Sequence, residues 1–305
     1  MKAELLHVVT VYCNPMRWQA KHELFRQFLS EMVQTGVKIT VVECGFGDRD
    51  FEWHDYGNIS VVHVRTNTVN WNKENLLNIG ISRLPQDWEY VAWVDGDIRF
   101  RHQAWASEAI NALQQYPIIQ PWSYCYDLGP HGEHLEGHRS FAYMHWHRRV
   151  RGIGQGYEFA HPGYAWASRR DVLDRLGGLY EMGVSGAGDH HMALGLIGKA
   201  VWSIPGSMTD GYKRSIYQWQ ERATKHISGL IGHLHGTIEH SWHGRKKNRR
   251  YIERWDILKK SAFDPYEDLK FNTWRVMELA GNKPELAHDL DRYFRQRNED
   301  GNEME

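Results

Sequence analysis

The chain has 305 residues, 41% of them hydrophobic, enough to close a substantial core as one large domain or as one domain with an appendage. Its formal net charge of -1 and sequence pI near 7.0 exclude a bulk electrostatic attraction to nucleic acid or to an acidic membrane, so any such partner must be met by a local patch. Cys13, Cys44 and Cys125 lack the number and spacing of a disulfide framework or zinc ribbon, no apolar run is long enough to span a bilayer, and no signal-peptide pattern opens the sequence, so a reduced, cytoplasmic setting without a membrane span is expected.

Leu6 to Cys13 read as a first strand, broken by Asn14-Pro15, and Arg17 to Thr35 repeat Leu24, Phe25, Phe28, Leu29 and Met32 at helical spacing as far as Gly36. Val37 to Cys44 and Ile59 to Arg65 read as the next strands, around a polar loop from Gly45 to Asn58. Strand, helix, strand opens a mainly parallel α/β sheet with right-handed crossovers, whose ligands bind at the carboxyl ends of its strands. Those ends carry Tyr12, Asn14, Glu43 and Arg65. Asn70 to Arg83 reads as a helix capped near Asn72 and stopped before Pro85. Val91 to Val94 then form a buried strand that ends in Asp95-Gly96-Asp97. Two carboxylates one residue apart suit a hard divalent cation bridged to a diphosphate, and Gly96 lets a ligand approach the backbone; an ordinary acidic turn is the plain alternative.

Gln103 to Tyr116 read as a helix, and Pro117 to Pro121 as a short strand at an edge or boundary. Trp122 to Tyr157 have no steady period and read as a functional loop, where Trp122 and its neighbouring rings are suited to stack on a sugar or base and Arg148 and Arg149 to meet phosphate. The competing account makes these residues a second hydrophobic cluster with solvated cations. His161-Pro-Gly163 turns the chain into a strand from Tyr164 to Ser168, followed by a helix from Arg170 to Leu176 and a stop at Gly177-Gly178. Asp189, after Gly186 and Gly188, either caps the helix His190 to Leu196 or offers its carboxylate to a ligand. Histidines gather at His233, His235, His240 and His243, before a basic run from Arg245 to Arg250 that continues as a helix. Asp264-Pro265 starts a further helix, Phe271 to Ala280 continue helically, and Pro284 opens a last helix that frays past Asn298.

Asp95-Gly-Asp97 after its strand, the block from His161 to Glu181, and Gly186-Ala-Gly-Asp189 together resemble the nucleotide-sugar-dependent glycosyltransferases of the GT-A fold, in particular the family 2 type, over most of residues 5 to 245. The resemblance implies a Rossmann-like, mainly parallel sheet flanked by helices, divided into a nucleotide-sugar half (1–100) and an acceptor half (101–245), with a helical extension over 246–305. It places Asp95 and Asp97 at Mn2+ or Mg2+ and the sugar diphosphate, with His243, or His240 in its stead, as a further metal ligand. Tyr12, Asn14, Glu43 and Arg65 fall beside the nucleotide, although Glu43 also reads as a solvated strand-end acid. Lys73 and Asn78, or Asn75, also fall beside the nucleotide, with Lys73 suited to bind phosphate as a point charge. In relatives the block containing Trp166 supports the sugar pocket, which places Trp166 on the acceptor side, and Asp189 is the base that deprotonates the acceptor hydroxyl, with His190 in reserve. Inversion at the sugar carbon follows from that assignment.

Trp71-Asn-Lys-Glu74 and Trp242-His-Gly-Arg245 also resemble phage-type enzymes that glycosylate hydroxymethylated pyrimidines in DNA. That resemblance makes duplex DNA in a host cytoplasm the leading acceptor and gives Arg245 and the arginines near residue 149 a common role on phosphates. Polysaccharide or glycolipid synthesis is the rival, no obligate protein partner is evident, and a non-catalytic carbohydrate- or metal-binding protein is the alternative of another class.

Overall fold

The computed structural model describes residues 2–152, 156 and 158–301. The chain opens with β1 (Leu6–Tyr12), α1 (Gln19–Val33), β2 (Lys38–Phe46), β3 (Ile59–Thr66) and α2 (Lys73–Ser82), followed by β4 (Tyr90–Val94), β5 (Ile98–Phe100) and α3 (Trp105–Leu113). Next come β6 (Ile118–Gln120), β7 (Tyr124–Leu128), β8 (His134–Arg139), α4 (Phe141–Trp146), β9 (Ala165–Arg169), α5 (Arg170–Leu176) and α6 (Gly188–Leu196). The remainder comprises α7 (Asp210–His226), β10 (Ile231–His233), β11 (Thr237–His240), α8 (Arg254–Lys260), α9 (Pro265–Asp268), β12 (Leu269–Phe271), β13 (Met277–Leu279) and α10 (Pro284–Gln296).

A seven-stranded sheet in the order β10-β6-β9-β4-β1-β2-β3 forms the centre. Its pairs are parallel except where β9 runs against β4 and β6, so the α/β class and mainly parallel sheet expected from the sequence are the ones observed. Helices bury both faces, which is why its strands read as continuous apolar runs. Along β4, Val91 and Trp93 enter the core on one side, while Ala92 and Val94 enter the core on the other. A four-stranded sheet, β5-β11-β7-β8, leans against the carboxyl end of β4 and carries the late histidines toward it.

Three expectations are corrected. Trp122 to Tyr157 is largely regular structure, supplying β7, β8 and α4, although residues 153–155 and 157 of that span lie outside the described residues. The strand between Pro117 and Pro121 is internal, between β10 and β9; both prolines lie outside its hydrogen-bonded residues, so no ladder donor is lost. Phe271 to Ala280 is a β-hairpin rather than a helix, because Asn272 Oδ1 accepts from the amides of Trp274 and Val276 at 2.9 and 3.1 Å and turns the chain there. The hairpin docks on the amino-terminal half: Asn75 Oδ1 accepts from Met277 N at 2.9 Å, and Glu278 Oε1 accepts from Thr66 Oγ1 and Asn67 N, both at 2.9 Å. Val276, Leu279, Leu286, Leu290 and Phe294 join the same core as Leu76 and Trp93, so the last segment has no core of its own. No helix among the described residues is long and apolar enough to cross a membrane.

Candidate functional site

The carboxyl end of β4 releases the chain into Asp95, whose amide donates to Tyr164 O at 2.8 Å. Gly96 is also a packing requirement: a Cβ there would lie 2.4 Å from Phe25 Cδ2. The two acids diverge. Asp95 Oδ1 accepts from Lys73 Nζ at 2.7 Å, while Asp97 Oδ2 lies 3.1 Å from His243 Nε2 and 3.8 Å from His240 Nε2. The Nε2 atoms of His240 and His243 are 3.1 Å apart, and these three residues meet as a group able to hold a metal ion.

The charge states around this group follow from burial and partners. Burial and then the Arg249 guanidinium push the His243 imidazole down to about 4 against the pull of Asp97, so the ring is neutral at neutral pH. Burial opposes ionisation of Asp97, but the hydrogen bond with His243 and the positive charge of Arg249 hold its carboxyl well below the usual range. Neutral imidazole and ionised carboxylate are the forms that ligate a cation. On the far side of His240, Nδ1 lies 2.8 Å from Asp127 Oδ1, which places a ring proton at Nδ1 and turns Nε2 toward Asp97 and His243. Asp127 is itself fixed by Tyr164 Oη, which donates at 2.9 Å, and by an ion pair with Lys246.

These residues line a cavity of about 500 Å³ together with Lys73, Glu74, Asp189 and His190. Lys73 is buried, which disfavours its charge, but Asp95, Glu74 and Asp189 raise its pKa and keep it protonated. Glu74 is pushed up to about 7 by burial, with Lys73 opposing and Asp189 and Asp95 adding to the rise. Asp189 is not the cap of its helix: α6 begins at Gly188 with Ala187 as N-cap at φ 73°, leaving Asp189 in the first turn, where the helix dipole favours a carboxylate. Its Oδ2 approaches Gly163 so closely that a Cβ there would lie 2.7 Å away. Burial lowers the His190 pKa against the nearby Asp189, so its imidazole is held neutral.

Two features establish what the cavity lacks. Asp97 Oδ1 is buried with no hydrogen-bond partner among the described residues, although two imidazole nitrogens crowd its sister oxygen. On another wall, Arg254 Nε and Arg297 Nε are buried donors without an acceptor among the described residues. A buried polar atom left unpaired costs about 1–3 kcal/mol, and more when charged. A divalent cation meets the first need and an anion the second. The donor set of one carboxylate and two imidazoles fits such a cation, and the Arg249 Nη2 atom, 2.7 Å from His243 Nε2, already holds positive charge against that nitrogen.

Of the expected site residues, Lys73, Asp95, Asp97, Asp189, His190, His240 and His243 line this one cavity. Tyr12, Asn14, Glu43, Arg65 and Asn78 do not; they fasten loops. Tyr12 Oη donates to Glu52 at 2.8 Å, Asn14 closes the turn to Trp18, Glu43 accepts from the amides of Glu52 and Trp53, and Arg65 donates to Gly47 O and Arg49 O. Asn78 binds the backbone of Leu179 in both directions. Glu43 is accordingly buried rather than a solvated acid. Trp122 is fully enclosed, with Nε1 donating to Ala165 O, and Trp166 is buried with Nε1 donating to Pro162 O at 2.7 Å, so neither ring has a face to offer an acceptor. Arg148 and Arg149 are exposed, Arg149 against Glu158, while Arg245 is half-buried ahead of the turn Lys246–Arg249. Glu74, Asp127, Arg249, Arg254 and Arg297 form part of the site without having been singled out. The alternation of β7 carried a signal for Asp127, which shares a face with fully buried Cys125 and is therefore an acid directed inward.

No family model matches the chain, and no curated protein matches its sequence. Similar solved structures include residues 1–349 of S. aureus TarS with UDP-GlcNAc, at 12% identity over 77% of this chain and 58% of that one, with a TM-score of 0.43. The catalytic domain of Drosophila β1,4-galactosyltransferase 7 with xylobiose is similar at 13% identity over 90% and 92%, with a TM-score of 0.39. A mutant of that enzyme with manganese, UDP-Gal and xylobiose is similar at 15% identity over 62% of this chain and 59% of that one, with a TM-score of 0.33. At these identities and scores the likeness extends to elements of the fold and carries nothing about substrate.

Proposed function

We propose that this protein is a metal-dependent glycosyltransferase that moves a sugar from a nucleotide-sugar donor to an acceptor hydroxyl. The observation that carries this is the pairing of opposite unmet needs in one cavity: the bare Asp97 Oδ1 beside two imidazoles, and the bare guanidinium N–H groups of Arg254 and Arg297. A metal diphosphate satisfies both together. Asp97, His240 and His243 would hold Mn2+ or Mg2+, which supplies charge neutralisation for the departing diphosphate. Lys73 anchors Asp95 and brings its own positive charge to the phosphate side. Asp189, in the first turn of α6, takes the proton of the acceptor hydroxyl as that oxygen attacks the sugar carbon, and direct displacement inverts the carbon. Asn78 and the strand-end residues Tyr12, Asn14, Glu43 and Arg65 act by fixing the loops around the nucleotide.

For the acceptor we propose a hydroxymethylated pyrimidine in DNA. The support is the outer face of the small sheet, where Arg101 lies over Tyr126 and Arg139 over Tyr124, a cation and aromatic pattern suited to a nucleic-acid strand. The basic run contributes less than expected, because Lys246 and Arg249 turn inward onto Asp127 and His243. The test is thermal stabilisation by a panel of nucleoside diphosphates and nucleotide sugars with and without Mn2+, followed by transfer to hydroxymethylated duplex DNA and to oligosaccharides. A Mn2+-dependent shift with one nucleotide is expected; no shift with any of them refutes the donor assignment. Transfer only to oligosaccharide, with DNA retention unaffected by salt, refutes the acceptor assignment.

A further inference from the structure

After α10 ends at Gln296 the chain passes along the cavity, whose lining includes Arg297 and Glu299. Asn298 takes φ 44°, Asp300 Oδ1 accepts from Ala20 N at 2.8 Å, Gly301 O accepts from Trp242 Nε1 at 2.9 Å, and Arg297 O accepts from Asn248 Nδ2 at 3.3 Å. Gly244 makes room for this passage, since a Cβ there would lie 2.6 Å from Asn298 O. These few residues therefore tie the start of α1 to the segment between β11 and α8.

The passage brings one side chain inward. Glu299 is 4% exposed, with Oε1 2.8 Å from Arg297 Nη2 and Oε2 3.8 Å from His243 Nδ1, and the charges of Lys21 and Arg249 also act on it. It reaches the wall where the cavity shows an unmet need for an anion, yet Arg297 Nε still has no acceptor among the described residues. A single carboxylate therefore only partly satisfies this nest of cations. A diphosphate brings more negative charge and more acceptor oxygens to the same groups. On the strap side, Asn298 and Asp300 are exposed, each tie named above is one hydrogen bond between described residues, and the left-handed turn falls on a residue type that tolerates it.

We infer that Lys21, Arg249 and Arg297 form a phosphate subsite that the chain's own Glu299 occupies in the absence of ligand, and that residues 298–301 are a strap displaced when a diphosphate binds. The inference rests on the cavity being the diphosphate site of the proposed function and adds that ligand entry requires expulsion of an internal competitor. The strap also connects the metal group to donor occupancy, because Glu299 leaves the vicinity of His243 in the same movement.

The experiment is hydrogen exchange of the full chain titrated with inorganic pyrophosphate, together with pyrophosphate binding by calorimetry to the wild type, to Glu299→Gln and to a chain ending at Asn298. Exchange of the amides after Arg297 is expected to rise as pyrophosphate saturates the wild type, and both variants are expected to bind it about tenfold more tightly, the effect of removing a competitor of modest strength. Protection that persists at saturation, unchanged or weaker binding by both variants, or absence of binding by all three proteins overturns the inference. If pyrophosphate displaces the strap but no nucleoside diphosphate binds more tightly than pyrophosphate itself, the strap stands and the nucleotide-sugar assignment fails.

Discussion

Asp127→Asn isolates the support behind the metal group. Asp127 touches none of the space where a cation would sit; it acts through His240, accepting from Nδ1 at 2.8 Å so that Nε2 presents its lone pair. Asparagine can still accept that proton through its amide oxygen, which preserves the ring orientation while removing the charge. A hydrogen bond to a charged group contributes roughly 1.5–3 kcal/mol and a neutral one about 0.5–1.5, so the ring loses on the order of 1.4 kcal/mol of basicity support, or about tenfold in metal affinity. Asp127→Ala, which also frees the ring to turn, should approach the hundredfold end of the range for such supports. Three other partners are affected: Tyr164 loses a carboxylate acceptor, His138 Nδ1 loses a carboxylate 3.6 Å away, and Lys246 loses an ion-pair partner, although Lys246 is half exposed and can return to water. The assay is Mn2+ titration by calorimetry at constant pH, with urea unfolding of each metal-free variant to correct for stability. Affinity within twofold of wild type for Asp127→Asn, or a loss as complete as that of Asp97→Asn, refutes the assignment of Asp127 as the group that sets the His240 tautomer.

Glu74 supplies a pH signature. Its folded pKa of about 7 lies above the ordinary 4.5, so the fold favours the protonated acid: the contribution is complete below pH 4.5 and is lost as pH rises through 7. The stability difference between wild type and Glu74→Gln should fall by about 3 kcal/mol over that window in urea titrations, and a flat difference would sink the assignment. Asp189→Asn should lower kcat by about 10²- to 10⁴-fold while leaving nucleotide affinity within twofold; a loss confined to KM would remove Asp189 from the role of base. Gly80→Ala sets helix propensity against packing, since alanine gains up to about 1 kcal/mol in a helix but its Cβ would lie 2.6 Å from Val9 Cγ1 and 2.7 Å from Val42 Cγ2. Packing should prevail with a net loss of about 1–3 kcal/mol, and a stabilised variant would show that α2 can lift from the sheet. Replacing Arg101 and Arg139 together with alanine should abolish salt-sensitive retention on hydroxymethylated duplex DNA, and unchanged retention would exclude that face as the DNA surface.

The elements of the nucleotide half were legible in the sequence because their signals are local. Periodicity gave α1, the apolar runs gave β1, β2 and β4, and a β-strand that ends in Asp95-Gly-Asp97 needs no distant contact to be recognised. Lys73 and Asp189 came from the resemblance, and the structure brings them into the cavity with the two acids. The segments misread were those in which long-range contacts outweigh local pattern. Phe271 to Ala280 has a helical composition, but Asn272 turns it and its backbone pairs as a hairpin that Asn75 and Glu278 bind to the amino-terminal half. Trp122 is assigned a stacking role and Trp166 a place on the acceptor side because sequence does not report exposure, and both are consumed by the core. Strand-end polar residues such as Tyr12 and Arg65 are chemically suited to ligands, yet their hydrogen bonds are spent on neighbouring loops.

By itself, then, the sequence determined the α/β class, the position of the acid pair at a strand end and the supply of late histidines, since each follows from side-chain chemistry and short-range spacing. Only the tertiary structure decided that Asp97 rather than Asp95 faces His240 and His243, that Asp127 orients the first of these rings, and that Glu299 returns from the end of the described chain to the cation cluster. These pairings join residues separated by long stretches of chain, and their energies depend on burial and on angstrom-scale approach, quantities set by packing.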